Sequence, residues 1–166
     1  GTLNTVIFCP EDLQLIKGTP SGRRRFLDME ISQTSATYYH QLMQYNRLLQ
    51  QRNAVLKEYR GKNTIPLEEW DLQLADMASF IVKKRLESLK KINLLIDLMN
   101  RKLTGGLENL TIGYEQPYME NGSLEYTKEG FYERIKAALP QDRHRMTTSV
   151  GPHRDDLRFF SDAMDL

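Results

Sequence analysis

The fold is decided by residues 8–28, which read FCPEDLQLIKGTPSGRRRFLD. The apolar run over residues 5–9 favours a short buried strand that a proline ends. Two carboxylates, Glu11 and Asp12, then begin a short helix. Pro20 opens a further helix that carries three consecutive arginines. This stretch therefore marks a junction between a strand-containing body and a helical segment.

The composition excludes several classes of protein. The chain has 166 residues, about the length of one domain with its own core. Its formal net charge is +1 although 27% of its residues are charged, which excludes a surface coated in positive charge but allows a basic patch. The single cysteine, Cys9, excludes an intramolecular disulfide and favours a reducing compartment. Because neither a signal peptide nor a membrane-length apolar run occurs, we expect a cytoplasmic protein without membrane attachment.

Apolar side chains at helical spacing predict two long helices. Residues 38–59 place seven side chains at alternating steps of four and three, the seam spacing of a coiled coil, with Arg52 as a polar member. The second helix, over residues 67–103, has a similar stripe in which Arg85 interrupts the rhythm like a stutter. A glycine and a proline mark a turn between them. Two long amphipathic helices with a short link pack antiparallel, so the sequence predicts a helical hairpin.

The pattern changes from helical to strand-like after residue 104. An Asn121–Gly122 pair is typical of a hairpin turn. The predicted elements are strands over residues 107–116, 124–126, 145–150 and 157–160, and a helix from Lys128 that stops at Pro140. The predicted fold class is therefore α+β, with an antiparallel, coiled-coil-like helical hairpin on a small β-containing lobe.

Three arginines, Arg23, Arg24 and Arg25, lie near a helix start, where the helix dipole disfavours cations. They are expected either to pair with Asp28 or Glu30, or to contact DNA phosphate, for which guanidinium is a good bidentate ligand. Consecutive helical residues lie about 100° apart. At most two of the three therefore serve one partner.

The second long helix carries a basic segment from Lys83 to Lys102, with seven positive and two negative residues. This segment is expected either to be a solvated face paired with the glutamates that follow residue 106, or to be an electrostatic track for the DNA backbone. The candidate DNA-binding residues on it are Lys83, Lys84, Lys90 and Lys91.

The block His153-Arg154-Asp155-Asp156 combines residue types that serve in metal or acid–base sites. Its spacing does not support zinc, because no cysteine pair lies nearby and no histidine follows three or four residues on. One interpretation is a structural turn after Gly151 in which the charges are paired. The other, a nucleotide-sensing role, depends on a family resemblance.

Four motifs in this order resemble the RecF family. They are Phe-x-Pro-Glu-Asp-Leu at residues 8–13, Leu-x-x-Gly-x-Pro-x-x-Arg-Arg-x-Phe-Leu-Asp at 15–28, Gln-Arg-Asn at 51–53 and Gly-Pro-His-Arg-Asp-Asp-Leu at 151–157. The resemblance extends from about residue 6 to residue 157. It implies an ABC-type ATPase head related to SMC proteins, from which the helical hairpin projects as an arm.

The chain departs from that family's head by lacking the Walker A, Walker B and ABC signature motifs. We therefore interpret it as an internal arm and lid, with no ATPase activity by itself. The resemblance implies ATP and Mg²⁺ as cofactors of the complete protein, a weak DNA-dependent ATPase. The expected parts are a strand and turn of the head at residues 1–20, the hairpin arm at 21–104, a small α/β lobe at 105–150 and the return strand to the head at 151–166.

The resemblance also implies a function and its site residues. The chain would be the arm of an ATP-dependent DNA-binding protein that acts at single-strand gaps in recombinational repair, RecA loading and the SOS response. The implied partners are DNA with a single-strand/double-strand junction, RecR, RecO and a second copy of the protein in an ATP-dependent homodimer. The implied location is the cytoplasm, in association with the nucleoid. Glu11, Asp12, His153 and Arg154 would sense the nucleotide or its metal.

Two alternatives belong to other classes of function. The hairpin would be a scaffold that docks RecR or RecO and has no direct contact with DNA. It would otherwise be the arm of an SMC-like chromosome protein, which is disfavoured because each helix has only about 40 residues at most.

Overall fold

A computed structural model describes residues 17–61, 64, 66–104, 109–118, 126–161 and 164–165. The helices in these ranges are α1 (Pro20–Thr34), α2 (Ala36–Glu58), α3 (Glu68–Thr104), α4 (Lys128–Ala137) and α5 (Leu139–Arg145). The strands are β1 (Leu110–Glu115), β2 (Asp156–Ser161) and β3 (Met164–Asp165). The predicted α+β class is confirmed. No helix in this part of the chain is both long and apolar enough to cross a bilayer.

Capping side chains define where α1 and α2 begin. The Thr19 hydroxyl accepts a hydrogen bond from the Gly22 N–H at 3.2 Å, and Pro20 occupies the first turn of α1. Ser35 has extended backbone, and its hydroxyl accepts from the Tyr38 N–H at 3.2 Å. The chain therefore leaves one helix and starts the next within a single residue.

The long helices α2 and α3 form the predicted antiparallel hairpin. Arg52 of α2 contacts Asp71 near the start of α3, whereas Tyr38 contacts Arg85 farther along it. Because an earlier position of α2 contacts a later position of α3, the two helices run in opposite directions. Their buried apolar side chains include Tyr38, Tyr45, Leu56, Leu74, Ala78 and Ile81.

The core extends beyond the hairpin to α1, α4 and the sheet. Leu27 of α1 and Phe131 and Ile135 of α4 are almost fully buried, and they belong to the same apolar cluster as the hairpin. Leu157 of β2 joins them. The predicted arm and α4 therefore share one core, to which α3 contributes buried side chains along much of its length.

The sheet brings the last described strands against the hairpin. Antiparallel β1 and β2 pair from Leu110 opposite Ser161 to Glu115 opposite Asp156, and β3 adds to the other edge of β2. The Asn93 side chain of α3 both donates to and accepts from the Ile112 backbone, each at 2.8 Å. Strands predicted near residues 107–116 and 157–160 are thus confirmed.

The strand predicted over residues 145–150 is wrong. Helix α5 ends at Arg145, Met146 has left-handed backbone with a φ of 53°, and the residues that follow are irregular. Pro140 lies in the first turn of α5, where its missing N–H costs no helical hydrogen bond, so it begins a helix after α4 has ended. The predicted turn at 121–122, the strand at 5–9 and residues 124–125 of the strand at 124–126 lie outside the described residues, and residue 126 is not in a strand.

Candidate functional site

Residues 151–156 lie where the hairpin meets β2. They begin with a tight turn, in which the Arg154 N–H donates to the Gly151 carbonyl at 2.9 Å. Gly151 has a φ of 132°, and a Cβ there would overlap the Tyr45 hydroxyl of α2. Glycine is required at this position because both the backbone conformation and the close approach of α2 exclude a side chain.

His153 points into the hairpin and is held by both ring nitrogens. Its Nε2 lies 3.0 Å from the Thr148 carbonyl, and its Nδ1 lies 2.6 Å from the Tyr45 hydroxyl. Since a carbonyl only accepts, Nε2 carries the proton and Nδ1 accepts from Tyr45. Burial lowers the pKa of His153 to about 4, with the positive charge of Arg154 acting in the same direction. The imidazole is therefore neutral at physiological pH.

Arg85 of α3 connects this turn to α1. Its guanidinium forms a bidentate pair with the Asp28 carboxylate at 2.8 and 2.9 Å. The same guanidinium donates to the Pro152 carbonyl at 2.7 Å and to the Tyr114 hydroxyl at 3.2 Å. The position that interrupts the coiled-coil spacing is thus the buried centre of a polar network.

Asp155 completes this network from the far side of the turn. Its carboxylate is buried, accepts a hydrogen bond from the Tyr114 hydroxyl, and lies 3.9 Å from Arg85. Burial raises the pKa of Asp155 to about 6, although the Tyr114 hydrogen bond and the charge of Arg85 oppose this rise. The turn is therefore fixed by side chains of α1, α2, α3 and β1 together.

Arg52 anchors the loop that precedes the turn. It donates to the carboxylates of Asp71 at 2.6 Å and Asp142 at 2.7 Å, and to the Thr148 hydroxyl at 2.9 Å. The neighbouring Asn53 accepts from the backbone N–H and hydroxyl of Thr148 at 2.8 and 2.7 Å. The Gln-Arg-Asn motif therefore binds the loop to α2, which the sequence pattern alone did not reveal.

The structure separates the three arginines at the start of α1. Arg23 forms a bidentate pair with Asp156 at 2.8 and 2.6 Å, and Arg24 donates to the Asp155 carbonyl at 2.6 Å. Arg25 is exposed. Two of the three arginines predicted to contact DNA are thus bound to residues 155 and 156. The ion-pair partner of Arg23 is Asp156 and not the nearby Asp28. DNA contact by these residues stays a prediction.

The predicted lysines lie on the outer face of α3. At about 100° per residue, the four positions fall within a sector of about 120°, opposite the buried Arg85 and Leu89. Lys84 pairs with Glu87 at 2.7 Å, whereas Lys83, Lys90 and Lys91 are exposed and form no ion pair within the described residues. Their DNA contact also stays a prediction.

The residues predicted to sense nucleotide are only partly placed. Glu11 and Asp12 lie outside the described residues. Arg154 is exposed and donates through Nε and Nη2 to the Thr148 carbonyl, at 3.2 and 2.9 Å. Among the described residues, no group of three histidine, cysteine, aspartate or glutamate side chains has the arrangement of a metal site.

The sequence contained one indication of the buried network around Arg52 and Arg85, although no motif identified that network. Arg52 and Arg85 occupy seam positions of two helices whose other seam residues are mostly apolar. A buried arginine needs a carboxylate partner, and Asp28, Asp71 and Asp142 are far apart in sequence. The seam positions predicted burial, but only the tertiary structure paired the charges.

The chain closely resembles proteins named DNA replication and repair protein RecF. It is 44% identical to the one from Alkaliphilus oremlandii over 168 residues, which cover 100% of the chain and 46% of that protein. It is 42% identical to the one from Clostridium beijerinckii, covering 99% of the chain and 44% of that protein. The chain thus spans less than half the length of these curated relatives. No protein-family model matches it.

Solved structures give the same result. The recombination mediator protein RecF-ATPrS of the RecFOR pathway superposes with a TM-score of 0.86 at 32% identity, over 96% of the chain and 44% of that protein. RecF-ATP of the same pathway superposes with a TM-score of 0.84 at 32% identity. The chain therefore belongs to the RecF family and corresponds to a little under half of a RecF protein.

Proposed function

We propose that the chain is the arm domain of a RecF-like, ATP-dependent DNA-binding protein that acts in recombinational repair. The observation that carries this proposal is the outer face of α3, where Lys83, Lys90 and Lys91 are exposed and form no ion pair within the described residues. Lysines that project from one helix face bind successive phosphates without reading sequence. This suits a protein that recognises a single-strand/double-strand junction by its shape.

In this proposal, the contacts of residues 151–156 couple the arm mechanically to β2. Arg85 joins α1, α3 and the Pro152 carbonyl, and Tyr45 of α2 holds His153. A movement of the return strand β2 would therefore turn the hairpin with it, because buried ion pairs tolerate little sliding. In this proposal the ATP state of the head changes the orientation of the lysine face.

The phosphate-surrounding loop that holds the nucleotide for hydrolysis would lie outside this chain. The 166 residues contain no Gly-x-x-x-x-Gly-Lys-[Ser/Thr] loop to surround phosphates. The RecF relatives whose structures are named with ATP and ATPrS support a nucleotide in the complete protein. Mg²⁺, ATP-dependent homodimerisation, RecR and RecO binding, RecA loading and the SOS response are proposed with it, as are nucleotide or metal sensing by Glu11, Asp12, His153 and Arg154.

The test reverses the charge of the lysine face. In a full-length protein carrying this chain, the triple variant Lys83→Glu, Lys90→Glu and Lys91→Glu is expected to bind a fluorescent junction DNA at least about 100-fold more weakly, by anisotropy with ATP present. A matched triple variant, Arg47→Glu, Lys57→Glu and Lys128→Glu, changes the net charge equally on other exposed surfaces. Equal binding by the two triples would contradict the proposal.

A second candidate function is protein docking by the same helix. Leu94, Leu95, Leu98 and Met99 of α3 are between 58% and 67% exposed, an apolar group that suits a protein partner better than DNA. Here the chain would be a scaffold for RecR or RecO. Binding of RecR that is lost in Leu98→Asp, with DNA affinity unchanged in the lysine triple variant, would favour this candidate.

A further inference from the structure

A surface groove beside the loop between α5 and β2 is lined by three arginines. It encloses about 620 Å³, within the size range of small-ligand sites. Arg134 comes from α4, Arg145 ends α5 and Arg154 belongs to the tight turn before β2. Tyr118, Gln141 and Ser149 supply further polar groups, and none of the described residues that line the groove is a carboxylate.

The charge of these arginines is not compensated within the described residues. Elsewhere in the fold Arg23, Arg52 and Arg85 each face an aspartate within 2.8 Å. Arg134 donates to the Tyr118 carbonyl at 2.9 Å, and Arg154 donates to the Thr148 carbonyl. A carbonyl is neutral, so these bonds orient the guanidinium groups and leave their positive charge in place.

Two guanidinium groups that are oriented by carbonyls, together with Arg145 at the end of α5, favour a particular kind of ligand. The remaining N–H groups of each arginine can donate in pairs to two oxygens of one phosphate. Orientation by main-chain carbonyls lowers the entropy cost of that binding. A carboxylate ligand would satisfy one guanidinium, whereas a chain of phosphates carries enough negative charge for all three.

We infer that this groove is a phosphate-binding site for a ligand with two or more phosphate groups, supplied by a nucleotide or by a polynucleotide backbone. The inference does not depend on DNA contact along α3, since none of the groove arginines lies on that helix. It gives Arg154 a direct ligand contact, and it adds Arg134 and Arg145, which no sequence motif indicated.

The test uses inorganic pyrophosphate titrated into the 166-residue chain by isothermal calorimetry at low salt. Saturable binding is expected, and Arg145→Gln and Arg154→Gln are each expected to weaken it about tenfold or more. Arg47→Gln is the matched control, because Arg47 is exposed on α2 outside the groove. Circular dichroism of each variant verifies that the helices are intact.

Competition then identifies the source of the phosphate. Displacement of pyrophosphate by ATP alone indicates a nucleotide, and displacement by an oligothymidylate of about 12 nucleotides indicates a polynucleotide backbone. Either result supports the site. The inference is overturned if pyrophosphate does not saturate, if both groove variants bind as Arg47→Gln does, or if neither competitor displaces it.

Discussion

At the scale of single residues, Arg85 connects the turn at residues 151–156 and α1 to the hairpin. Its side chain is 3% exposed, and it contacts a carboxylate, a main-chain carbonyl and a hydroxyl from three different parts of the chain. A buried guanidinium of this kind is stabilising only while every partner is present. Its replacement should therefore be costly.

Arg85→Lys is expected to lower the free energy of unfolding by about 2–4 kcal/mol. Lysine keeps the charge but cannot bind both Asp28 oxygens while it donates to Pro152. Urea unfolding followed by circular dichroism measures this loss. Arg101→Lys is the control, because the Arg101–Asp97 pair is exposed and should contribute less than about 0.5 kcal/mol. Equal losses in the two variants would show that the buried pair has no special role.

Gly151→Ala is expected to destabilise the protein by about 2–4 kcal/mol, since strain at its positive φ adds to an overlap with the Tyr45 hydroxyl. Gly61→Ala provides the comparison. Gly61 also has a positive φ, of 77°, but an added Cβ would meet no atom within 4 Å, so its cost should be about 1 kcal/mol. Thermal unfolding measures both. A smaller loss at Gly151 than at Gly61 would contradict the close packing of the turn against α2.

The pH dependence of stability should reveal the buried state of His153. Its pKa is lowered to about 4 in the folded protein from 6.5 in the unfolded chain, mainly by burial. Its contribution to stability is therefore complete above pH 6.5 and is lost as the pH falls towards 4, by up to about 3 kcal/mol. Asp155, whose pKa is raised to about 6 from 3.8, has the opposite effect. Its contribution to the stability of the protein increases as the pH falls over that range.

His153→Gln isolates the histidine from this compensation. The stability difference between wild type and His153→Gln is expected to shrink as the pH falls from 7 to about 4.5, because only the wild type must protonate an imidazole on unfolding. Chemical denaturation at several pH values measures it. His40→Gln is the control, since His40 is exposed. A difference that does not change with pH would mean that His153 is not buried in its neutral form.

At the scale of elements, Ser35 determines that α1 and α2 are separate helices. Ser35→Ala is expected to cost about 1 kcal/mol, because the Tyr38 N–H loses its acceptor, and Ser35→Asp should restore the cap. Thermal unfolding of both variants tests this. If Ser35→Asp is as unstable as Ser35→Ala, the hydroxyl does not act as a cap.

The elements also show where local sequence patterns are reliable. Helices α2 and α3 begin and end within two residues of the predicted positions, because the apolar spacing extends over many turns. Residues 145–150 were predicted as a strand but begin with the last residue of α5 and continue as a loop. Thr148 and Ser149 satisfy their backbone through Asn53 and Asp142, and short polar segments of this kind carry no periodicity.

At the scale of the whole molecule, the hairpin is part of a common core and does not stand alone. Helix α4 packs against α3 through Phe131 and Ile135, and Arg23 of α1 pairs with Asp156 of β2. Strand β2 is therefore connected through α1 and the common core to the helix that carries the basic residues. The proposed control of DNA binding by the ATP state depends on this rigidity.

Binding of junction DNA is expected to depend steeply on salt. If all four lysines of α3 contact phosphates, affinity should fall about 100-fold between 50 and 200 mM salt. The triple lysine-to-glutamate variant should show a slope in log affinity against log salt that is smaller by about 3, whereas the matched surface triple keeps the wild-type slope. Anisotropy at several salt concentrations measures the slopes. Identical slopes would locate the DNA contact elsewhere.

The sequence by itself determined the helical hairpin, the α+β class and the RecF resemblance, since long-range periodicity and ordered motifs need no knowledge of contacts. Only the tertiary structure decided which charges meet. Arg52 and Arg85 find their aspartates across 19 to 90 residues of sequence. Arg134, Arg145 and Arg154 surround one groove although three different elements carry them. The pairings of Arg52 and Arg85 arise from packing, because the low dielectric of the core makes an unpaired charge unfavourable and thereby selects the partner.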